Sequence, residues 1–243
     1  MVDAADVAVI TGAAEGLGRL IAEALADRGR DLLLIDRSPA MLDEARRRLE
    51  DRYHVNVGTR VCDLGSAEAV RALGAELARD RRIGALVNNA GAWTAGGQYP
   101  DAAPDAWWSA MTLNLLTPML LTQSLWPALA SAGGAVVNVG SSGGSGDAPY
   151  GSPEYGAAKA GLRRLTASLG GRSEVRVTAV VPGWIGLDRA VREWRALSPR
   201  ARADAGGLVP PGRVVDAVLR LIEWGRPGEV VELEGDWEPE PSP

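Results

Sequence analysis

Short apolar runs alternate with amphipathic stretches along the whole 243-residue chain. Val7-Ala-Val-Ile10, Leu32-Leu-Leu-Ile35, Leu86-Val87, Ala135-Val-Val-Asn-Val139 and Val175-Arg-Val-Thr-Ala-Val-Val181 are short and mostly aliphatic, which predicts largely buried strands. Residues 55–61 and Glu229-Val-Val-Glu-Leu233 supply two more. Amphipathic segments near 17–29, 39–51, 66–79, 102–131, 153–171 and 210–224 lie between them and predict helices. Strand and helix in alternation predict an α/β fold: a doubly wound, seven-stranded, mostly parallel sheet with helices on both faces.

Nothing in the chain reads as a linker or repeat, so residues 1–243 are expected to form a single domain. The stretch 187–209 departs from the rhythm, being rich in Arg and Ala and holding Pro199 and Gly206-Gly207. It predicts a mobile helical insertion, placed as a lid over a substrate. The acidic, proline-rich tail from Gly235 to Pro243 predicts extended chain.

A net charge of −5 argues against a nucleic-acid partner, and the basic run Arg46-Arg47-Arg48 is bracketed by Glu44 and Glu50 as on a solvated helix face. Cys62 is the one cysteine and His54 the one histidine, which excludes a disulfide and a cysteine zinc cluster and leaves little for a His-based triad or metal site. No apolar run reaches membrane-spanning length, and Met1–Asp6 lacks the pattern of a signal peptide, so a cytoplasmic protein without a membrane partner is expected.

The basic residues are 25 arginines and a single lysine, Lys159, four positions after Tyr155. In a helix that spacing puts both side chains on one face. A free phenol, with a pKa near ~10, is a poor proton carrier at neutral pH, and an adjacent ammonium favours the phenolate. The pair therefore suits a general acid/base, the alternative being a surface lysine beside a packed tyrosine.

Directly after the first strand, Thr11-Gly12-Ala13-Ala14-Glu15-Gly16-Leu17-Gly18 opens a helix. Glycines there let backbone approach a diphosphate, and the helix N-terminus stabilises its charge. Asp36, closing the second strand, suits the adenosine ribose hydroxyls and repels a 2′-phosphate; Glu15 adds charge of the same sign. Arg37 pulls towards a phosphate. Two acids against one base favour NAD, with NADP possible. Asp36 as a simple helix cap is the alternative, although Ser38 before Pro39 is placed for that duty.

Taken together these motifs resemble the short-chain dehydrogenase/reductase family in its compact single-domain branch, over nearly the whole chain. The glycine pattern matches residues 11–18, Asp63-Leu64 ends the third strand, and Asn88-Asn89-Ala90-Gly91 follows the fourth. Asn114 lies in the long helix, Ser141-Ser142 follow the fifth strand, Tyr155-Gly-Ala-Ala-Lys159 opens the next helix, and Pro182-Gly183 ends the sixth strand. The resemblance implies a Rossmann-type fold and hydride transfer between a nicotinamide and a secondary alcohol or ketone. It implies Tyr155 as proton donor and acceptor, Lys159 as its tuner and ribose ligand, and Asn114 as the holder of a water. Ser142, thirteen residues before the tyrosine, is implied as the residue polarising the carbonyl; Ser141 is expected only to cap local backbone. Implied cofactor contacts are Gly12, Glu15, Gly16, Leu17, Gly18, Asp36, Arg37, Asp63, Leu64, Asn89, Gly91, Tyr155, Lys159, Pro182, Gly183 and Ile185.

One departure stands out. Where the family often has a threonine four residues past the glycine of Pro182-Gly183, this chain has Leu187, leaving backbone at Ile185, or the side chain of Asp188, to hold the carboxamide. The chain has eight tryptophans and no phenylalanine. Trp93, Tyr150, Trp184 and Trp194 are candidate walls of a pocket for an apolar, cyclic or aromatic small molecule, the alternative being packing of the insertion onto the body. Trp107 and Trp108 suit packing or a subunit interface. The family's habit of bundling these helices, with Gly156, Ala157, Ala160 and Gly161 permitting close approach, implies a homotetramer, with a homodimer second. The rivals are an NADP-dependent ketoreductase of specialised metabolism and a non-catalytic dinucleotide-binding sensor.

Overall fold

The computed structural model describes residues 6–79, 83–93, 97–146 and 150–239. Seven strands carry the fold: β1 (Val7–Thr11), β2 (Leu32–Asp36), β3 (Val57–Val61), β4 (Ile83–Asn88), β5 (Ala135–Val139), β6 (Arg176–Pro182) and β7 (Val230–Leu233). They form one sheet in the order β3-β2-β1-β4-β5-β6-β7, and every pairing is parallel.

Alternation along the strands explains the two layers of core. Ala8 and Ile10 of β1 face one side, with Leu32 and Leu34 of β2, and pack against α1 (Gly16–Ala26), α2 (Pro39–Tyr53) and α9 (Pro211–Trp224). Val7, Val9, Leu33 and Ile35 face the other, against α3 (Ala67–Leu77) and α5 (Thr117–Ser131). Both faces are covered, which is why these strands read as continuous apolar runs. The order reverses at β1 and β4: the chain runs outward to β3, then crosses back to lay β4 beside β1. That reversal opens a crevice beyond the strands' carboxyl ends, where ligands of such sheets bind.

The predicted long helix is α4 (Pro104–Met111), a π-helical turn (Thr112–Leu116) and α5 in unbroken succession. Helix α6 (Pro153–Leu169) follows β5 through a short 3₁₀ turn, Ser142–Gly144. Ser38 caps α2 by accepting from the Met41 N–H, as its place before Pro39 suggests, and His54 ends that helix with φ 55°. The insertion forms α7 (Asp188–Ala196) and α8 (Pro199–Ala205).

The described part of the tail, residues 235–239, is tied down. Leu208 N–H donates to Trp237 O at 2.7 Å, Trp237 N–H returns to Leu208 O at 3.1 Å, and Arg213 meets Asp236 at 2.8 Å. The first five residues and residues 240–243, which also carried expectations from sequence, lie outside the described residues. Among the described residues no helix is long and apolar enough to cross a membrane, and no cluster of His, Cys, Asp or Glu is placed to hold a metal.

Candidate active site

The glycine loop is held by hydrogen bonds from β4. Thr11 Oγ1 donates to Val87 O at 3.3 Å and accepts from the N–H groups of Asn89 and Ala90, both at 3.0 Å. The Asn89 amide donates to Thr11 O at 2.9 Å and Gly12 O at 3.1 Å, so this side chain fastens the loop. Gly12 adopts φ 62°, and a β-carbon on Gly18 would lie 2.0 Å from Gly12 O. Only glycine fits either position. Glu15 precedes α1 in extended conformation with no side-chain cap, leaving the first N–H groups of the helix unshielded by a side chain. Leu17 is buried in the core, so only its backbone belongs to the loop.

Asp36 Oδ2 accepts from Ala14 N–H at 3.1 Å and Oδ1 from Arg37 N–H at 2.7 Å. The carboxylate thus stands at the mouth of the loop, with Arg37 exposed beside it. Asp63 Oδ1 accepts from Gly65 N–H at 2.9 Å, and Leu64 O accepts from Thr117 Oγ1 at 2.7 Å. An open helix N-terminus next to a carboxylate at the end of β2 fits the diphosphate and ribose of a dinucleotide.

Past β4 the backbone packs closely. A β-carbon on Gly91 would lie 2.9 Å from Asn114 Oδ1 and 3.1 Å from Lys159 Nζ, so glycine is what lets the three residues meet. Asn114 sits in the π-helical turn, where the widened ladder disturbs the usual carbonyl pairing. Its amide donates to Ala110 O, one turn back, and to Ala92 O, both at 2.9 Å. Lys159 is buried, donates to Val139 O at 2.8 Å, and stands 5.6 Å from the centre of the Tyr155 ring. Burial lowers its pKa to about 8.

Tyr155 differs from expectation in its electrostatics. Burial pushes its pKa up to about 12; a hydrogen bond from Ser141 and the charge of Arg189 pull the other way, and Tyr150 adds to the rise. The expected lowering by Lys159 is not seen. The amine is engaged by Val139 and is itself discouraged from carrying charge, so it does little for the phenolate.

Ser142, the serine expected to polarise the carbonyl, is exposed and begins the 3₁₀ turn, whereas Ser141 is half-buried, accepts from Gly143 N–H at 3.2 Å and is near enough to Tyr155 and Tyr150 to draw both phenol pKa values down. Ser141 follows β5 by two residues and is held at the strand end, while Ser142 is turned outward. Tyr150 stacks on Tyr155 with ring centres 6.1 Å apart at 25°, and Trp93 meets Tyr150 edge-on at 5.6 Å and Tyr155 at 6.3 Å.

At the other side, Gly183 N–H donates to Leu233 O at 2.8 Å, and the half-buried Trp184 accepts from Val209 N–H at 2.8 Å through its carbonyl. Pro182 is buried at the end of β6. Ile185 pairs with Val209, and its carbonyl accepts from Leu187 N–H at 2.8 Å. The Leu187 side chain reaches over the glycine loop, 3.6 Å from where a β-carbon on Gly16 would be. Asp188 is exposed at the start of α7. Trp194 is not a cleft wall: it is buried, its indole N–H donates to Gly206 O at 3.0 Å, and Arg202 stacks on it at 5.0 Å. It packs α7 against the end of α8. Gly161 and Gly156 also serve within the chain, against Leu115 and against Gly143 and Tyr150, so that of the four small residues expected at a subunit contact Ala157 and Ala160 are the exposed ones.

A buried relay of amides and hydroxyls, not anticipated as a unit from sequence, sets α6 against the sheet. Asn88 donates to Asn138 Oδ1 at 2.9 Å, Asn138 donates to Thr166 Oγ1 at 3.0 Å, and Thr166 donates to Leu162 O at 3.0 Å. Polar residues inside otherwise apolar strands were the available signal, since a buried amide must find partners.

A glycine loop opening a helix, a carboxylate at the end of β2 and a Tyr155–Lys159 pair at the strand ends are the features of an NAD(P)-dependent oxidoreductase. The chain matches the short chain dehydrogenase family over residues 6–196 and belongs to it. It is 32% identical over 234 residues to the "Granaticin polyketide synthase putative ketoacyl reductase 1" of Streptomyces violaceoruber, covering 90% of this chain and 85% of that protein. Among solved structures it is similar to a short-chain dehydrogenase from Sphingobium yanoikuyae in complex with NADPH, at 30% identity and TM-score 0.81, covering 93% and 87% of the two chains. The bulky-bulky ketone specific alcohol dehydrogenase from Comamonas testosteroni is another such relative, at 27% identity and TM-score 0.78, covering 93% and 85%.

Proposed function

We propose that this enzyme interconverts a secondary alcohol and a ketone of an apolar, cyclic or aromatic small molecule, using Tyr155, Ser141, Lys159 and Asn114. The observation that carries this reading is the placing of Tyr155 beside buried Lys159, whose amine is 5.6 Å from the ring centre and packs with Asn114 against Gly91, at the strand ends next to the glycine loop. A bound nicotinamide supplies the hydride that reaches the carbonyl carbon, or accepts it in the reverse direction. In reduction Tyr155 gives its phenolic proton to the carbonyl oxygen, and Ser141 donates a hydrogen bond to the same oxygen. Lys159 holds the nicotinamide ribose and passes a proton back towards the phenol. Asn114, pinned by Ala92 and Ala110, orients a water behind the lysine. Ser141 takes the place first expected of Ser142.

Asp36 and Glu15 favour NAD over NADP. The relatives solved or named with NADPH keep the rival preference in play, and comparing kcat/KM for NADH and NADPH decides between them. Trp93 and Tyr150 form the aromatic wall for the substrate, and residues 187–209 close over it as a lid. Trp108 and Met119 are exposed on the helices expected to pair protomers, which supports a homotetramer or homodimer; light scattering at the mass of one chain would refute the assembly. Tyr155→Phe tests the mechanism: turnover of cyclic and aromatic ketones falls below detection while NADH or NADPH still binds. Full turnover in that variant would rule the mechanism out.

A further inference from the structure

We infer that Thr122, Asn88, Asn138 and Thr166 form a buried crossbar that sets the spacing of the helices behind Asn114 and Lys159, which makes Asn138 and Thr166 positioning residues for the lysine amine. The inference rests on the catalytic reading given above, in which that amine holds the nicotinamide ribose and serves the proton path.

The crossbar is continuous from helix to helix. Asn88 and Asn138 are partners in the register of β4 and β5, so their side chains stand level on one face of the sheet. The Asn88 amide nitrogen has two hydrogens. One goes to Thr122 Oγ1 of α5 at 3.3 Å and the other to Asn138 Oδ1 at 2.9 Å. Asn138 in turn donates to Thr166 Oγ1 of α6 at 3.0 Å, and the Thr166 hydroxyl donates to Leu162 O of its own helix at 3.0 Å. All four side chains are buried, so a broken link leaves a polar group without water to replace its partner.

Both ends of the crossbar bear on the site. Thr122 lies eight residues after Asn114 and Thr166 seven after Lys159, about two helical turns in each case. At a spacing of seven, Thr166 and Lys159 share a face of α6. Both reach β5: Thr166 through the side chain of Asn138, and Lys159 through the carbonyl of the next residue, Val139, at 2.8 Å. Threonine is short and stiff, whereas lysine hangs on a flexible four-carbon stem. The threonine therefore decides where the helix lies, and the lysine follows. The amine has little room to follow wrongly. A β-carbon on Gly91 would lie 2.9 Å from Asn114 Oδ1 and 3.1 Å from Lys159 Nζ, so a helix released at Thr166 loses that fit.

The test separates positioning from plain stability. Lys159 is the one lysine, so protein grown on isotope-labelled lysine gives a single set of side-chain NMR peaks that reports on this amine with no substrate present. Thr166→Val keeps the shape and removes the hydroxyl, and Thr166→Ser keeps the hydroxyl. Thr178→Val is the control, removing a buried hydroxyl that donates to Val136 O at 3.1 Å and lies off the crossbar. The lysine peaks are expected to move in Thr166→Val, to return in Thr166→Ser and to stay in Thr178→Val. With 1-tetralone and NADPH or NADH, Thr166→Val is expected to lower kcat by about tenfold and to leave KM for tetralone within about twofold, because about 1 Å of misplacement costs about a hundredfold. Thr166→Ser restores most of that loss. Unmoved lysine peaks in Thr166→Val overturn the inference, as does an equal fall in kcat for Thr178→Val. Should Thr166→Val fail to fold, Thr122→Val breaks the crossbar at its other end and is read by the same two measurements. Tyr155→Phe is measured beside them. Full turnover there sinks the catalytic reading and the positioning role with it, whereas an inactive Tyr155→Phe beside an unaltered Thr166→Val sinks this inference alone.

Discussion

Lys159 donates to the carbonyl of Val139, the last residue of β5, at 2.8 Å. Buried and given one neutral acceptor, its amine has its pKa lowered to about 8, against an ordinary 10.5. Between those two values the unfolded chain binds the proton more tightly than the folded one, so stability rises as pH rises from about 8 to 10.5. Tyr155 acts oppositely between about 10 and 12, where the folded state keeps a proton that the unfolded chain has lost. Lys159→Met removes the first contribution. We expect it to gain on the order of 1–3 kcal/mol at pH 7, to flatten the rise above pH 8, and to abolish turnover. Denaturant melts across pH 6–10 check this, and an unchanged pH profile would contradict it.

Ser141 and Ser142 make opposite predictions. Ser141→Ala is expected to lower kcat by about 10²–10³, the usual scale for losing a donor to a developing oxyanion. Ser142→Ala is expected to stay within about threefold of the parent, its side chain being exposed. Steady-state ketone reduction by both variants decides the assignment, and the reverse pattern would restore Ser142.

Asp36→Asn keeps an oxygen for the Ala14 N–H and removes the charge that opposes a 2′-phosphate. The ratio of kcat/KM for NADPH over NADH is expected to rise by about tenfold, one charge–charge repulsion at partly screened distance. Parallel titrations with both dinucleotides read this directly, and an unchanged ratio would remove Asp36 from cofactor choice.

Glu154 is buried immediately before the tyrosine, and among the described residues neither carboxylate oxygen has a hydrogen-bond partner. A carboxylate so placed is costly to fold around. Glu154→Met is expected to stabilise the protein by about 1 kcal/mol or more. Thermal melts measure it, and a destabilised variant would reveal a partner for the carboxylate.

Trp237 lies on Gly186, where a β-carbon would come within 2.4 Å of its ring. Its backbone pairs with Leu208, which is followed by the partner of Ile185. Trp237→Ala should loosen the segment expected to hold the nicotinamide and raise KM for the dinucleotide by about tenfold, with a smaller change in kcat. An unaltered cofactor KM would show the tail to be indifferent to that end of the site.

Strands and most helices were legible because a sheet buried on both faces demands unbroken aliphatic runs, and Val7–Thr11 or Ala135–Val139 have no other use for them. The Tyr155–Lys159 pair was legible because a helix is a rigid ruler. Ser141 was not, because its distance was counted from Tyr155 across a loop whose length is free to vary. Counting forward from β5, which is fixed in the sheet, places Ser141 at the strand end. The fall in the lysine's pKa and the rise in the tyrosine's were hidden for another reason. Spacing reports proximity, whereas burial depends on the whole packed interior. Trp194 was misplaced because an aromatic in an amphipathic insertion suits a cleft wall and a packing anchor equally well by sequence. The π-helical turn at Asn114 left no mark, since Thr-Leu-Asn-Leu-Leu is as compatible with an ordinary turn.

A protein whose lone lysine is sealed inside its working crevice offers reagents an unusual target. Apart from the terminal amino group, acylating or aldehyde reagents find no primary amine on the outside to decorate. Coupling to amine-reactive supports will therefore be poor. Inactivation by such a reagent, and protection against it by dinucleotide, would report how often the crevice opens far enough to admit it.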